Sequence, residues 1–368
     1  RKKKNKRKLY EVSTIMDYFK ICKNGIRWTV RKGQVHTDDI EMAGFQTADL
    51  VTYGVAEGGK AVLGRYCVFP MLRTIPNRTS ASLRKEYDPS SFPVLLADGE
   101  AQEEYAVSFT IDGLLTAKTK SDCYEIVREF YPSAHLRAAV ERTTVKNITQ
   151  SPVRLTLSTP CHVLDSEHRG TKGVYLLEVL HDEVDVTLQP GERVVFGLAC
   201  TGRIANEPLV KVDTEKERAR RRRRAKELMN AVTLTTDDPE LDMMFRFGAL
   251  RAGESIFRTI TGDIHAPGGT KFYAASWCND QVEYAGPWFA QAGDEIDVNA
   301  SMNAYRHYIP FMSDSYTKIP SSVICEGLDI WEGAGDRGDA AMYLFGGSFF
   351  ALVTRKEAYL KELWPAIK

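Results

Sequence analysis

At 368 residues the chain is longer than one hydrophobic core normally serves, so two domains are expected. Its 49 Lys plus Arg balance 49 Asp plus Glu, which removes the general electrostatic case for a nucleic-acid partner, and the composition is that of a soluble globular protein with no apolar run long enough for an integral membrane segment. The seven cysteines are scattered and odd in number with no C-x-x-C pair, so neither a zinc site nor a disulfide framework is expected, and no metal or cofactor is implied.

Residues 1–17 read as a basic N-terminal tail. The cluster Arg1 to Lys8 could be a membrane-surface or nucleic-acid patch, but a solvated tail or the stub behind an export signal is the preferred reading, because the chain begins at Arg1 rather than Met. That reading carries the expectation of a secreted or periplasmic protein. Sequons at Asn77, Asn147 and Asn299 matter only if the source glycosylates proteins.

Residues 18–210 read as an antiparallel β-sandwich. Short apolar and β-branched runs alternate with Gly, Pro, Asn and Asp, as in Gly25 to Val30 and in Tyr105 to Ile111, which meets the turn dipeptide Asp112-Gly113. Val140 to Ile148, a polar turn and Val153 to Leu157 predict a long hairpin. Glu183 to Leu188 and Arg193 to Leu198 predict a last strand pair, separated by Gln189-Pro190-Gly191-Glu192, where Pro second and Gly third suit a type II turn.

The period then changes. Residues 211–231 form a linker helix rich in Glu, Lys, Arg and Ala; its run Arg220 to Arg224 wraps all sides of a helix, which points to a solvated or inter-domain face rather than to a nucleic-acid groove. Residues 232–368 read as helical. Asp238 is the expected N-cap and Pro239 the first helical position, with Leu241, Met244, Phe245, Gly248, Ala252 and Ile256 as the buried face of a helix of about five turns. Further helices are predicted at 281–292, 295–308 and 339–353, with another beginning near Glu357. Trp288 reads as core.

Two loop segments, 262–284 and 324–342, concentrate acids, Trp and Gly between helices, where a scaffold can present functional groups. Cleaving a glycosidic bond needs one acid to protonate the leaving oxygen and a carboxylate to activate water or attack carbon, with an aromatic surface to orient the ring. The second segment supplies Glu326, Asp329, Glu332, Asp336 and Asp339 around Trp331. Asp339 has the plain alternative of a helix N-cap. His265 either shapes its loop or contacts sugar, and Glu283 and Tyr284 fall one turn beyond Asp280, facing either cavity or solvent.

The order of sandwich, linker helix, capped first helix, Trp277-Cys278-Asn279-Asp280 and then Asp329-Ile330-Trp331-Glu332 resembles the six-hairpin glycosidases, the group holding glucoamylases, amylo-α-1,6-glucosidases and α-L-rhamnosidases. The resemblance implies an N-terminal β-sandwich followed by the first part of an (α/α)6 toroid, since about 140 residues after the linker suffice for about half of its helices. Trp277 to Asp280 is similar to a Trp-x-Arg-Asp element whose Asp binds sugar hydroxyls, with Asn279 here in place of Arg. Asp329 to Glu332 is similar to the glucoamylase-like segment in which the Glu after Trp is the general acid.

The resemblance therefore implies Glu332 as the first candidate acid, with Glu326 and Asp336 behind it. It also implies Trp277, Asn279, Asp280, His265, Trp331 and Asp329 as sugar-binding positions, a carbohydrate as the partner, and a second catalytic carboxylate later in the toroid. The leading reading is a glycoside hydrolase. A glycoside phosphorylase, with Gly268-Gly269-Thr270-Lys271 as a faint phosphate cradle, a non-catalytic carbohydrate-binding protein, and a purely structural toroid remain the alternatives.

Overall fold

The computed structural model describes residues 18–22, 24–75, 80–158, 162–165 (backbone alone), 170–266, 275–313, 319–324, 327, 329–330 and 335–368. The predicted tail 1–17 lies outside the described residues. The first half of what is described, as far as Ile204, is β-structure. Strands β1 (Phe19–Cys22) and β2 (Gly25–Thr29) form a hairpin, followed by a meander of β3 (His36–Ala43), β4 (Ala48–Val55), β5 (Ala61–Thr74) and β6 (Ala81–Tyr87). Next come the short β7 (Leu95–Ala97) and β8 (Glu100–Ala101), and then β9 (Tyr105–Ile111), β10 (Leu115–Lys120), β11 (Tyr124–Pro132) and β12 (Ala138–Asn147). The last five are β13 (Val153–Leu157), β14 (His162–Asp165), β15 (Tyr175–His181), β16 (Asp185–Leu188) and β17 (Arg193–Ile204).

These strands build a sandwich. One layer is a nine-stranded antiparallel sheet in the order β1-β2-β9-β10-β11-β12-β17-β15-β14; two four-stranded sheets, β3-β4-β5-β6 and β16-β13-β7-β8, share its inner face. The alternation of β11 decides the layering, because successive side chains point to opposite faces. Tyr124, Ile126 and Phe130 turn inward, whereas Glu129 and Tyr131 turn outward to the helix that follows the sandwich. Phe109, Leu115 and Phe130 pack on Met42, Val51 and Tyr53, while Tyr124, Ile126 and Phe196 pack on Leu95, Val153 and Leu155. Each such fully buried side chain contributes about 1.5–3 kcal/mol.

Two predicted strand pairs do not form. β12 pairs with β11 and β17, and β13 pairs with β16 and β7, so the polar turn between β12 and β13 carries the chain from one layer to the other. Asn147 fixes that crossing, its amide donating to the Ser151 and Leu188 carbonyls at 2.8 and 2.9 Å. The Gln189 to Glu192 turn has its expected form, with Gly191 at φ 80° and the Glu192 amide 2.9 Å from the Gln189 carbonyl. It too is an arch between layers rather than a hairpin, because β16 lies in the small sheet and β17 in the large one.

Helix α1 (Thr214–Ala231) crosses the outer face of the large sheet, capped by Asp213, whose Oδ1 accepts from the Lys216 amide at 3.0 Å. Its arginines divide their work. Arg218 forks onto Glu129 at 2.7 Å, and Arg222 reaches both Glu129 and Asp112 of the sandwich. Arg224 reaches Asp294 and Asp297 of the helical part at 3.0 and 3.1 Å, and Arg223 stays at the solvent beside Glu227. Arg221, 2% exposed, donates to the Gly113 and Ala43 carbonyls at 2.8 and 3.0 Å and pairs with buried Glu254. Through Arg221, Arg222 and Arg224 the run ties the sandwich to the helical part.

Helix α2 (Pro239–Glu254) starts as its sequence dictates, with the Asp238 carboxylate accepting from the Glu240 and Leu241 amides. Its buried face is not the expected one. Met243, Ala249, Leu250, Gly253 and Glu254 are buried, while Leu241 and Met244 are 39% and 66% exposed, and Ile256 belongs to a strand. The last turn of the interior face is a small residue and a charge rather than an apolar stripe. A Cβ on Gly253 would lie 2.3 Å from a Leu228 methyl, and Glu254 meets Arg221 there, so the apolar period points the wrong way.

Beyond α2, β18 (Ile256–Thr259) and β19 (Gly262–His265) pair as a hairpin where the sequence reads as helix end and loop, with Gly262 at φ 111°. β20 (Ala275–Trp277) leads into a continuous helical stretch over 278–292, made of α3 (Cys278–Asp280), a π-helical turn (Gln281–Ala285) and α4 (Gly286–Ala292). α5 (Glu295–Tyr308), β21 (Ser322–Ile324), α6 (Asp339–Thr354) and α7 (Glu357–Ile367) complete the chain. Val282, Met302, Tyr305, Tyr343, Phe350 and Leu363 form their shared core. Trp288 is half-buried, its ring edge-on to Phe245 at 5.8 Å. The architecture is thus an N-terminal antiparallel β-sandwich, a linker helix and a C-terminal helical part.

Candidate active site

The two acid- and Trp-rich segments meet through a short ladder. β20 and β21 pair antiparallel with Trp277 opposite Ser322, the Cys278 amide donates to the Ser321 carbonyl at 3.0 Å, and Val323 bridges to Ile330. The buried Tyr308 hydroxyl locks the ladder from below, donating to the Ser276 carbonyl at 2.8 Å. Trp277 is thus at the Ser322 end of β21, and the turn that carries Asp329 leaves the other end, at Ile324. In that turn Gly327 takes φ 68°, where a Cβ would press on the His307 ring at 2.7 Å.

The first turn of the helical stretch after β20 presents the polar groups. Asp280 is half-buried, and burial raises its carboxyl above the usual range; the Tyr284 hydroxyl, which donates to its Oδ1 one turn on, partly offsets that rise. Tyr284 is 51% exposed, so the pair opens to solvent. Behind it His265 is 4% exposed, edge-on to Tyr284 and Phe289, with Nδ1 accepting from the Gln281 amide at 2.7 Å. Burial pushes its imidazole down to about 4, so the ring is neutral at pH 7. Gln281 also donates to the His265 carbonyl at 3.1 Å, and its own buried Oε1 has no partner among the described residues.

Asp336 sits where α6 begins. Its Oδ1 accepts from the Gly338 and Asp339 amides, both at 2.8 Å, and its Oδ2 from the Ile319 amide at 3.4 Å. The capping carboxylate of α6 is thus Asp336 rather than Asp339, which is buried within the first turn and accepts from the Arg337 amide at 3.1 Å. A carboxylate holding three backbone amides is poorly placed to transfer a proton. Cys278 Sγ contacts the Asp339 carbonyl at 3.5 Å, tying α6 to the ladder, and burial beside these acids pushes the thiol well up.

Asp329 is exposed and accepts from the Ile330 amide at 2.8 Å, while its own carbonyl receives the Ile324 amide. Glu326, Trp331 and Glu332 lie outside the described residues, as does Gly268 to Lys271. Gln281 and Tyr308 were not singled out in the sequence; the one signal for the site's inner wall is the i, i+4 spacing of Asp280 and Tyr284. No group of three or more His, Cys, Asp and Glu side chains converges on a metal-sized point among the described residues. The Asp280 carboxylate and the Tyr284 phenol offer an acceptor and a hydroxyl side by side, a pair suited to hydroxyl-bearing ligands.

The fold is that of a two-part protein in which a sandwich and its linker helix lean on a helical unit, and it has solved counterparts. One is a structure named "Putative kojibiose phosphorylase from human microbiome", which superposes with a TM-score of 0.62 at 10% sequence identity over 93% of this chain and 58% of that chain. At that identity the likeness is one of fold. The chain spans a little over half of that neighbour's length. No family model matches the sequence, and no curated protein matches it.

Proposed function

We propose that the chain carries part of an enzyme that cleaves a glycosidic bond, with the site on the rim formed by β20, β21 and the first turn of the helical stretch after β20. The observation that supports the reading is the β20–β21 ladder, because β21 pairs on one side with the strand that leads into Cys278 to Asp280 and on the other with Ile330, linking two segments far apart in sequence. Asp280, tuned by Tyr284, accepts hydroxyl hydrogens from the sugar of the cleaved unit. Trp277 and Trp331 supply the stacking wall, and Asn279 and Asp329 the flanking polar contacts. Buried His265 and Gln281 hold the helix turn that presents Asp280.

Glu332 is the general acid of this proposal, with Glu326 the next candidate; Asp336 is set aside because its carboxylate caps α6. The leading reaction is hydrolysis, in which a second carboxylate activates water. Phosphorolysis is the second reading, favoured by the fold shared with a protein bearing a phosphorylase's name. There phosphate takes the place of the activated water and the product is a sugar 1-phosphate. The working division is 18–210 for the sandwich, 211–231 for the linker and 232–368 for the first part of a toroid, in a secreted or periplasmic protein.

The test is to incubate the full-length protein with aryl-glycosides and glucose disaccharides, with and without inorganic phosphate, beside a Glu332→Gln variant. Free sugar released without phosphate selects hydrolysis, and phosphate-dependent sugar 1-phosphate selects phosphorolysis. Sugar binding without turnover in either condition sinks the enzymatic reading and leaves a carbohydrate-binding protein. Full turnover in the Glu332→Gln variant moves the acid to Glu326.

A further inference from the structure

The two small sheets lie side by side on the large one, and between them a cavity of about 390 Å³ opens over β11 and β12. The interior of a sandwich at this place is ordinarily apolar and packed without voids larger than a water molecule. Here it is charged. Arg128 of β11 forks onto Glu104 at 2.5 and 2.7 Å and approaches Glu141 of β12 at 3.2 Å. Arg65 of β5 forks onto Asp49 at 3.0 and 2.8 Å, and Thr143 donates to Glu141 at 2.8 Å.

Stability does not account for this network, since apolar residues of similar volume in place of a buried ion pair are often as good or better. Nor do the charges close the space; they face it. The cavity wall carries three cations, Lys60, Arg65 and Arg128, and three anions, Glu103, Glu104 and Glu141, so it offers no excess charge to an ionic ligand. Phe92, Pro93 and Phe196 supply an apolar side. The longest ion pair on the cavity wall joins Arg65 Nη1 to Glu141 Oε2 at 3.5 Å. A pair that long is readily exchanged for two neighbouring hydroxyls, one donating to the carboxylate and the other accepting from the guanidinium.

We infer that this cleft in the sandwich is a binding site for a neutral saccharide of one or two rings, separate from the rim on the helical part. Its volume lies within the range of small-ligand sites, and the pairing of hydrogen-bonding charges with an apolar wall is the chemistry that holds a polyol with C–H faces. The inference does not rest on glycosidic cleavage elsewhere in the chain.

The test is calorimetric titration of the full chain with glucose, maltose, cellobiose and inorganic phosphate, repeated on three variants. Ala61→Trp fills the mouth, because Ala61 shares the inward face of β5 with Leu63 and Arg65. Glu141→Gln keeps the shape and removes the charge, and Asp280→Asn alters only the helical rim. The expected result is a sugar whose affinity falls at least tenfold in Ala61→Trp and in Glu141→Gln and is unchanged in Asp280→Asn. Should Ala61→Trp not fold, the near-isosteric Glu141→Gln decides alone. Binding lost in Asp280→Asn but kept in the other two, binding of phosphate alone, or no binding of any sugar at millimolar concentration each overturns the inference.

Discussion

Replacing Arg221 with Met tests whether the linker helix is a structural clamp. The guanidinium, 2% exposed, holds two carbonyls from different parts of the sandwich, at Gly113 and Ala43, and the carboxylate of Glu254 from α2. Arg221→Met leaves both carbonyls short of a donor and Glu254 with Arg251 alone, at 2.7 Å. Removing one partner of a buried ion pair costs about 3–5 kcal/mol, because the charge left behind is uncompensated. Arg223→Met, two positions on and with a side chain 70% exposed, should change stability by less than about 0.5 kcal/mol. Urea unfolding followed by fluorescence and far-UV circular dichroism reads both, and separate transitions would show the two parts coming apart. The double variant Arg221→Met with Glu254→Met should stay destabilised, since Arg251 then loses its carboxylate and the two carbonyls still lack a donor. Equal midpoints for Arg221→Met and Arg223→Met would refute the clamp.

Three further outcomes are expected. Because burial holds His265 down to about 4 against an ordinary 6.5, the unfolded chain takes up its proton first; the stability it confers is complete above pH 6.5 and is lost as pH falls toward 4. That loss is roughly 3 kcal/mol, so His265→Phe should flatten the fall in denaturation midpoint between pH 7 and pH 4.5, and an unchanged slope would contradict it. Tyr284→Phe removes the bond that lowers the Asp280 carboxyl, so the acid limb of sugar binding or turnover should move to higher pH, and a superimposable profile would show that Asp280 does not govern it. Gly346→Ala places a Cβ 2.6 Å from the Tyr305 hydroxyl and 2.8 Å from a Val282 methyl, so thermal melting should report a loss of about 1–3 kcal/mol; a wild-type melting temperature would mean that α6 can slide.

Much of this fold was legible where local chemistry decides it. The Asp238-Pro239 start of α2, the bounds of α5 and the Gln189 to Glu192 turn follow from caps and turn residues, which act within a few positions. Strand partners were not legible at β12–β13 or β16–β17, because a turn between two layers uses the same Gly, Pro and Asn as a turn within one. The buried face of α2 was hidden for another reason. Helical periodicity finds apolar stripes, and this helix buries Gly253 and Glu254 while exposing Met244. At the candidate site, the sequence marks the acids and tryptophans but not that Asp336 is taken up by backbone amides, since the three donors come from both sides of it in the chain.

The place of β17 has a consequence for the order in which this chain can become native. It is the last strand of the sandwich to be synthesised, yet it lies inside the large sheet, between β12 and β15. While a ribosome is still making residues before Arg193, β12 and β15 each lack a neighbour, and their open edges are available for pairing with the wrong strand or the wrong chain. Closure of the sheet waits for Ile204, and α1 follows ten residues later onto the face just completed. A fragment ending short of that strand is therefore expected to aggregate rather than fold. One that runs through Ala231 carries every strand of the sandwich and the helix that covers it.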